Sequence, residues 1–136
     1  MGKTGLIHHT FNTLQNNKSW TCIYTDIYAT QNLQEFTNQL ASSILKAFPS
    51  NQTIGKRFMK FVRGLSPSIN FDPLMGAPEI SFKYVEPKQY EHALKGLFEF
   101  LDQQNKHILI AIDEFQQVAQ YPEKMLRHYY ALLSSP

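Results

Sequence analysis

Cysteine is nearly absent from this chain, and its one example, Cys22, rules out an internal disulfide. It lies in the apolar run Trp20–Tyr24, where a buried thiol in a reducing compartment is the ordinary reading. No stretch reaches the roughly 18 apolar residues that a membrane helix needs, so no span is expected. The N-terminus has no apolar signal region, so secretion is not expected and a cytoplasmic location is. Charge is sparse, with 18% charged residues and a net charge of +2, too little to argue for nucleic acid by itself. There is no internal repeat and no low-complexity tract. What remains is a 136-residue chain with 43% hydrophobic residues, enough for one domain with a real core.

Periodicity gives the element order. Leu6, Ile7, Thr10, Phe11 and Leu14 fall on one face of a helix. Trp20 to Ile27 is rich in β-branched and aromatic residues and predicts a strand. Asn32 with Glu35 resembles a capping box ahead of a helix that carries Leu33, Phe36, Leu40, Ile44 and Phe48 on one side. Ile69 and Phe71, then Ile80, Phe82 and Tyr84, alternate around a Pro- and Gly-containing loop, which predicts a β-hairpin insert at about residues 66–85. Pro87 suits a helix start, and Tyr90, Ala93, Leu94, Leu97, Phe98 and Leu101 recur at threes and fours. Ile108–Ile112 is apolar throughout, as in a parallel strand covered on both faces. Pro122 opens a last helix with Met125, Leu126, Tyr129, Tyr130 and Leu133 inward. Helices alternating with strands in this way predict an α/β fold with parallel strands.

Two segments carry chemistry. Met1-Gly2-Lys3-Thr4 ends in Gly-Lys-Thr, the closing part of the phosphate-binding pattern G-x-x-x-x-G-K-[ST], with only one residue before Gly2. A helix N-terminus offers free N–H groups and a partial positive charge to a phosphate. Gly2 and Gly5 would let the backbone approach, Lys3 would meet the β- and γ-phosphates, and Thr4 would turn its hydroxyl to Mg²⁺. Far downstream, Asp113 and Glu114 close the apolar strand at the end where α/β sheets bind ligands. Asp113 there would hold Mg²⁺ through water, and Glu114 would polarise the attacking water as general base. Each segment is weak alone, as a surface lysine or a solvated strand end. Together, in this order and context, they favour nucleotide binding.

Gly2–Ile7 and Ile110–Gln116 resemble the Walker A and Walker B segments of the archaeal-type ATPases, AAA+-like P-loop NTPases related to the STAND regulatory class. Tyr24–Tyr28 and Tyr121–Lys124 are similar to the same group. The resemblance implies a partial P-loop NTPase domain over residues 1–136, of the ASCE, three-layer αβα type. It implies ATP and Mg²⁺ as cofactors, with Gly2, Lys3, Thr4 and Gly5 on the nucleotide, Thr4 and Asp113 on the metal and Glu114 as catalytic base. It implies a sheet in the order 5-1-4-3-2, in which the Walker B strand neighbours the second strand. By that pattern the first strand, the start of the loop, the sensor residue and any arginine finger lie outside the sequence, as in a domain truncated at both ends. The isolated chain is then expected to bind ATP weakly and to hydrolyse little.

Other residues have plainer readings. His8-His9 lack a second pair at metal-ligand spacing and read as helix-surface histidines. Asp26 could approach the nucleotide or cap a loop. Arg127 could act on a phosphate in trans, although a surface position is the ordinary one. Lys56, Arg57, Lys60 and Arg63 could touch nucleic acid or an acidic lipid surface, or form a solvated helix face. The expected function is therefore an ATP-binding switch or motor, with a protein, DNA or further copies of the chain as open partners. The alternatives are a nucleic-acid- or partner-binding module with a vestigial nucleotide site, and a remnant of a broken gene.

Overall fold

A computed structural model describes residues 2–16, 19–49, 51–65, 68–71 and 78–122, with the backbone alone described at 2–4, 15, 68–71 and 78. Helix α1 (Gly2–Gln15) leads into strand β1 (Trp20–Asp26), and helices α2 (Leu33–Ala47) and α3 (Thr53–Arg63) follow. Strands β2 (Ser68–Phe71) and β3 (Pro78–Ser81) come next, then α4 (Pro87–Asp102), β4 (His107–Asp113) and a 3₁₀ turn, Phe115–Gln120. The helix expected from Pro122 onward, with Met125 to Leu133 and Arg127, lies outside the described residues.

β1 and β4 pair in parallel, from Trp20 opposite His107 to Asp26 opposite Asp113. They are far apart in sequence but adjacent in space, as the resemblance implied. β1 alternates between two helices. Ile23 and Thr25 are buried on the α2 side, where Ser43 Oγ donates to Thr25 Oγ1 at 2.9 Å. Tyr24 turns to the other face and meets the rings of His8 and Phe11 from α1. β4 is less covered than its apolar composition suggests: Ile108 to Ile112 are half-buried, and among the described residues β1 is its one strand neighbour.

α2 is the centre of the core. Leu33, Phe36, Leu40, Ile44 and Leu45 are buried on it, and it packs on β1, β3, α3 and α4. Each fully buried Leu or Phe contributes about 1.5–3 kcal/mol, so this one helix accounts for much of the stability. Asn32 Oδ1 accepts the Glu35 N–H at 2.8 Å, which is one half of the expected capping box. At the start of α4, Gln89 Oε1 accepts the N–H groups of Glu86 and Val85 at 3.0 and 3.2 Å.

α3 occupies the basic stretch. Phe58 and Val62 point inward, one turn apart, while Lys56, Arg57, Lys60 and Arg63 are exposed. Phe58 and Phe61 meet Phe100 of α4 at ring separations of 5.2 and 5.4 Å. The hairpin is present, β2 running antiparallel to β3 with Ile69 opposite Ile80. Its second strand stops at Ser81, before Phe82 and Tyr84. α2 side chains take over there: Asn38 Oδ1 accepts the Phe82 N–H at 2.7 Å, Ser42 Oγ accepts the Ile80 N–H at 3.1 Å, and Gln34 Nε2 donates to Phe82 O at 3.0 Å.

Candidate functional site

The site is built at the C-terminal edge of the β1–β4 pair. Asp113 is 3% exposed and, among the described residues, is the one buried carboxylate. Both of its oxygens accept hydrogen bonds: Oδ1 from its neighbour Glu114 N–H at 3.0 Å, and Oδ2 from the Tyr24 hydroxyl at 2.8 Å. These donors compensate for taking the charge out of water. The Tyr24 hydroxyl is pushed up to about 12, first by its bond to Asp113 and then by burial and by the charges of Asp113, Asp26 and Glu114.

Glu114 has φ +64° and ψ 38°, the left-handed region, the one non-glycine residue of that kind among those described. This turns the chain sharply from β4 into the 3₁₀ turn and leaves the Glu114 carboxylate half-buried, where the Gln116 amide donates to it. Such a conformation costs about 1–2 kcal/mol in a residue with a Cβ and concentrates at functional sites. The loop after β1 is fixed to the same region. Asp26 Oδ1 accepts the Tyr28 N–H at 2.9 Å, so the loop-capping reading of Asp26 is realised, at the edge beside Asp113. Gln117 Nε2 donates to Tyr28 O at 2.9 Å, and the hydroxyls of Thr30 and Tyr121 are hydrogen-bonded.

Gly2, Lys3, Thr4 and Gly5 form the first turn of α1, and the side chains of Lys3 and Thr4 lie outside the described residues. The course of the helix is set by two constraints. A short link joins its end to the start of β1, and His8 and Phe11 sit against Tyr24, four residues into that strand. α1 therefore runs back along β1, and its first turn heads for the edge that carries Asp26 and Asp113. From His8 to Thr4 is one turn, about 6 Å at 1.5 Å per residue. His8 and His9 are exposed, and no group of three His, Cys, Asp or Glu able to hold a metal occurs among the described residues.

Sequence reasoning passed over Tyr24. The signal was parity: Tyr24 and Asp26 share a strand face, so a side chain aimed at the acidic tip could have been anticipated once β1 and β4 were set side by side.

Comparison with curated proteins and with solved structures gave no match. The profile of the KAP family P-loop domain matches residues 1–131. This match spans both the Gly-Lys-Thr segment and the Asp-Glu tip, and it agrees with a mixed α/β fold built on a parallel strand pair. The chain belongs to the KAP family of P-loop NTPase domains.

Proposed function

We propose that the intact domain binds ATP with Mg²⁺ and hydrolyses it, acting as a regulatory switch or motor ATPase in the cytoplasm. One observation carries the reading: a buried, doubly hydrogen-bonded Asp113 at the C-terminal end of a parallel strand, on the edge toward which α1 begins. In this reading Gly2 and Gly5 let the backbone approach the phosphates and Lys3 meets the β- and γ-oxygens. Thr4 and Asp113 hold the metal, and Glu114 orients and deprotonates the attacking water. Hard carboxylate and hydroxyl oxygens suit Mg²⁺. Mg²⁺ keeps several waters and is commonly held by one or two carboxylates plus the phosphates, a role that one buried aspartate can fill. When bound, Mg²⁺ supplies neutralisation of phosphate charge. Kinship with the archaeal-type, AAA+-like ATPases is part of this proposal, supported by the motif residues and by the β1–β4 adjacency that the order 5-1-4-3-2 requires.

The test is phosphate release from MgATP by the full-length protein, with Lys3→Ala and Asp113→Asn beside it. Loss of activity in both variants is expected, and unchanged activity in both would overturn the proposal.

A second reading has its own observation. Lys56, Lys60 and Arg63 recur at four and three residues, a stripe on the exposed face of α3 with Arg57 beside it and no acidic residue on the helix. The stripe is about 10 Å long at 1.5 Å per residue, enough for two or three backbone phosphates of nucleic acid. DNA binding that survives Lys3→Ala, falls with Lys60→Gln and weakens with salt would favour this reading.

A further inference from the structure

We propose that Tyr24 is a positioning residue for the acidic tip of β4, a strut that fixes the Asp113 carboxylate and ties it to the helix that opens at Gly2. The inference rests on the nucleotide reading above and concerns what holds its metal-binding carboxylate in place.

Three observations carry it. The Tyr24 hydroxyl donates to Asp113 Oδ2 at 2.8 Å, across 89 residues of sequence. The Tyr24 ring is gripped from α1: the His8 ring lies 5.2 Å away, and the Phe11 ring stands edge-on at 6.4 Å. Phe11 is itself buried, so this contact is anchored in the packed layer between helix and strand. Lastly, the two partners differ in their need for the bond. Tyr24 is half-buried, where water could serve its hydroxyl, whereas Asp113 is 3% exposed and its charge requires protein donors.

The Glu114 N–H on Oδ1 and the Tyr24 hydroxyl on Oδ2 act on different oxygens, so together they set the plane of the carboxylate. The Glu114 N–H is local and turns with the chain. Tyr24 refers the carboxylate to a separate element, β1. Without it, Asp113 Oδ2 would lose this donor and the carboxylate would gain rotational freedom about its side-chain bonds. Partners of this outer kind orient the groups that ligate a metal, and removing one typically costs about 10–100-fold in metal affinity or activity.

The experiment uses the full-length protein and Tyr24→Phe, which keeps the ring and removes one oxygen. Phosphate release is titrated with Mg²⁺ at saturating ATP, and with ATP at saturating Mg²⁺. The Mg²⁺ concentration for half-maximal rate is expected to rise about tenfold. The KM for ATP at saturating Mg²⁺ is expected to stay where it is, while the thermal midpoint falls by a few degrees because the buried carboxylate loses a donor. Binding of a fluorescent ATP analogue at subsaturating Mg²⁺ is expected to respond to Tyr24→Phe in the natural background and not in Asp113→Asn, because Tyr24 acts through that carboxylate.

An unchanged Mg²⁺ dependence overturns the proposal, as does an equal effect in the Asp113→Asn background. If Tyr24→Phe fails to fold, His8→Ala takes its place. It removes the exposed ring that leans on Tyr24, and a shift of about two- to threefold in the same Mg²⁺ constant is expected; no shift overturns the strut. A wild-type protein with neither Mg²⁺-dependent binding nor hydrolysis brings down the nucleotide reading first and this inference with it. A wild-type protein that is active, beside an indifferent Tyr24→Phe, brings down the inference alone.

Discussion

Asp26 and Asp113 stand opposite one another on the last rung of the parallel β1–β4 ladder, yet their environments are opposite. Asp26 is exposed and closes the turn that follows β1 through the Tyr28 N–H, while Asp113 is buried and receives donors on both oxygens. Equal positions in a register thus produce one loop-forming carboxylate and one held in a fixed orientation.

The left-handed backbone at Glu114 gives a first prediction. Glycine there removes the steric cost of about 1–2 kcal/mol and adds an entropic cost of about 0.5–1, leaving a net gain near 0.5 kcal/mol. Glu114→Gly is expected to melt no lower than wild type while hydrolysis falls by about 10²-fold or more. Glu114→Gln keeps the backbone cost and is expected to lose hydrolysis while still binding nucleotide. Calorimetry and phosphate-release assays on both variants check this.

Two glycines separate packing from chemistry. A Cβ at Gly55 would lie 1.9 Å from Pro49 O and 2.5 Å from Phe48 O, both backbone atoms of the turn against which α3 starts. Gly55→Ala is expected to destabilise by about 2–3 kcal/mol, measured by urea unfolding. At Gly5 a Cβ meets nothing within 4 Å. Gly5→Ala, inside α1, is expected to stabilise by about 0.5–1 kcal/mol. If Gly5 serves phosphate approach, nucleotide binding weakens at the same time.

Tyr84 predicts a dependence on alkaline pH. Burial, then the neighbouring Tyr90, raises its pKa above the ordinary 10.0, and its hydroxyl donates to Leu65 O at 2.5 Å. A raised folded-state pKa means that the contribution is complete below the ordinary value and is lost as pH rises through the folded value. Wild type is therefore expected to exceed Tyr84→Phe in stability at about pH 8, with the gap closing above about pH 10. Urea midpoints for the two proteins across that range measure it.

Asn38 supplies the shortest of the α2 bonds to the hairpin exit, 2.7 Å from Oδ1 to the Phe82 nitrogen. Phe82 is fully buried. Asn38→Ala leaves that N–H without its acceptor and is expected to cost about 1–3 kcal/mol. Hydrogen exchange at Phe82 is expected to rise with little change at Ile23 in β1.

The parts legible in the sequence were those with a clean period. α4 carries Tyr90, Ala93, Leu94, Leu97 and Leu101 inward as its spacing predicted, with Phe100 added and Phe98 only half-buried. β1 and β4 were readable as apolar and β-branched runs, and the parallel pairing followed from the alternation of element types. α3 was not read as a distinct core helix, because its apolar positions Phe58 and Val62 are few and sit among four basic residues. The hairpin was legible, but not the early stop of its second strand, because the side-chain partners that bond its end belong to a helix more than 35 residues upstream. The chemistry of the tip was legible as Asp113-Glu114, from residue type and position. The left-handed turn and the Tyr24 contact were not, because both depend on what the tertiary structure brings together.

The hairpin exit has a mechanical consequence. β3 and Phe82 are stitched to α2 by Gln34, Asn38 and Ser42, and the next residue of that helix, Ser43, holds Thr25, immediately before Asp26. The insert and the rim of the sheet are thus fastened to neighbouring residues of one helix, Ser42 and Ser43, so the hairpin and the acidic edge share a single anchor.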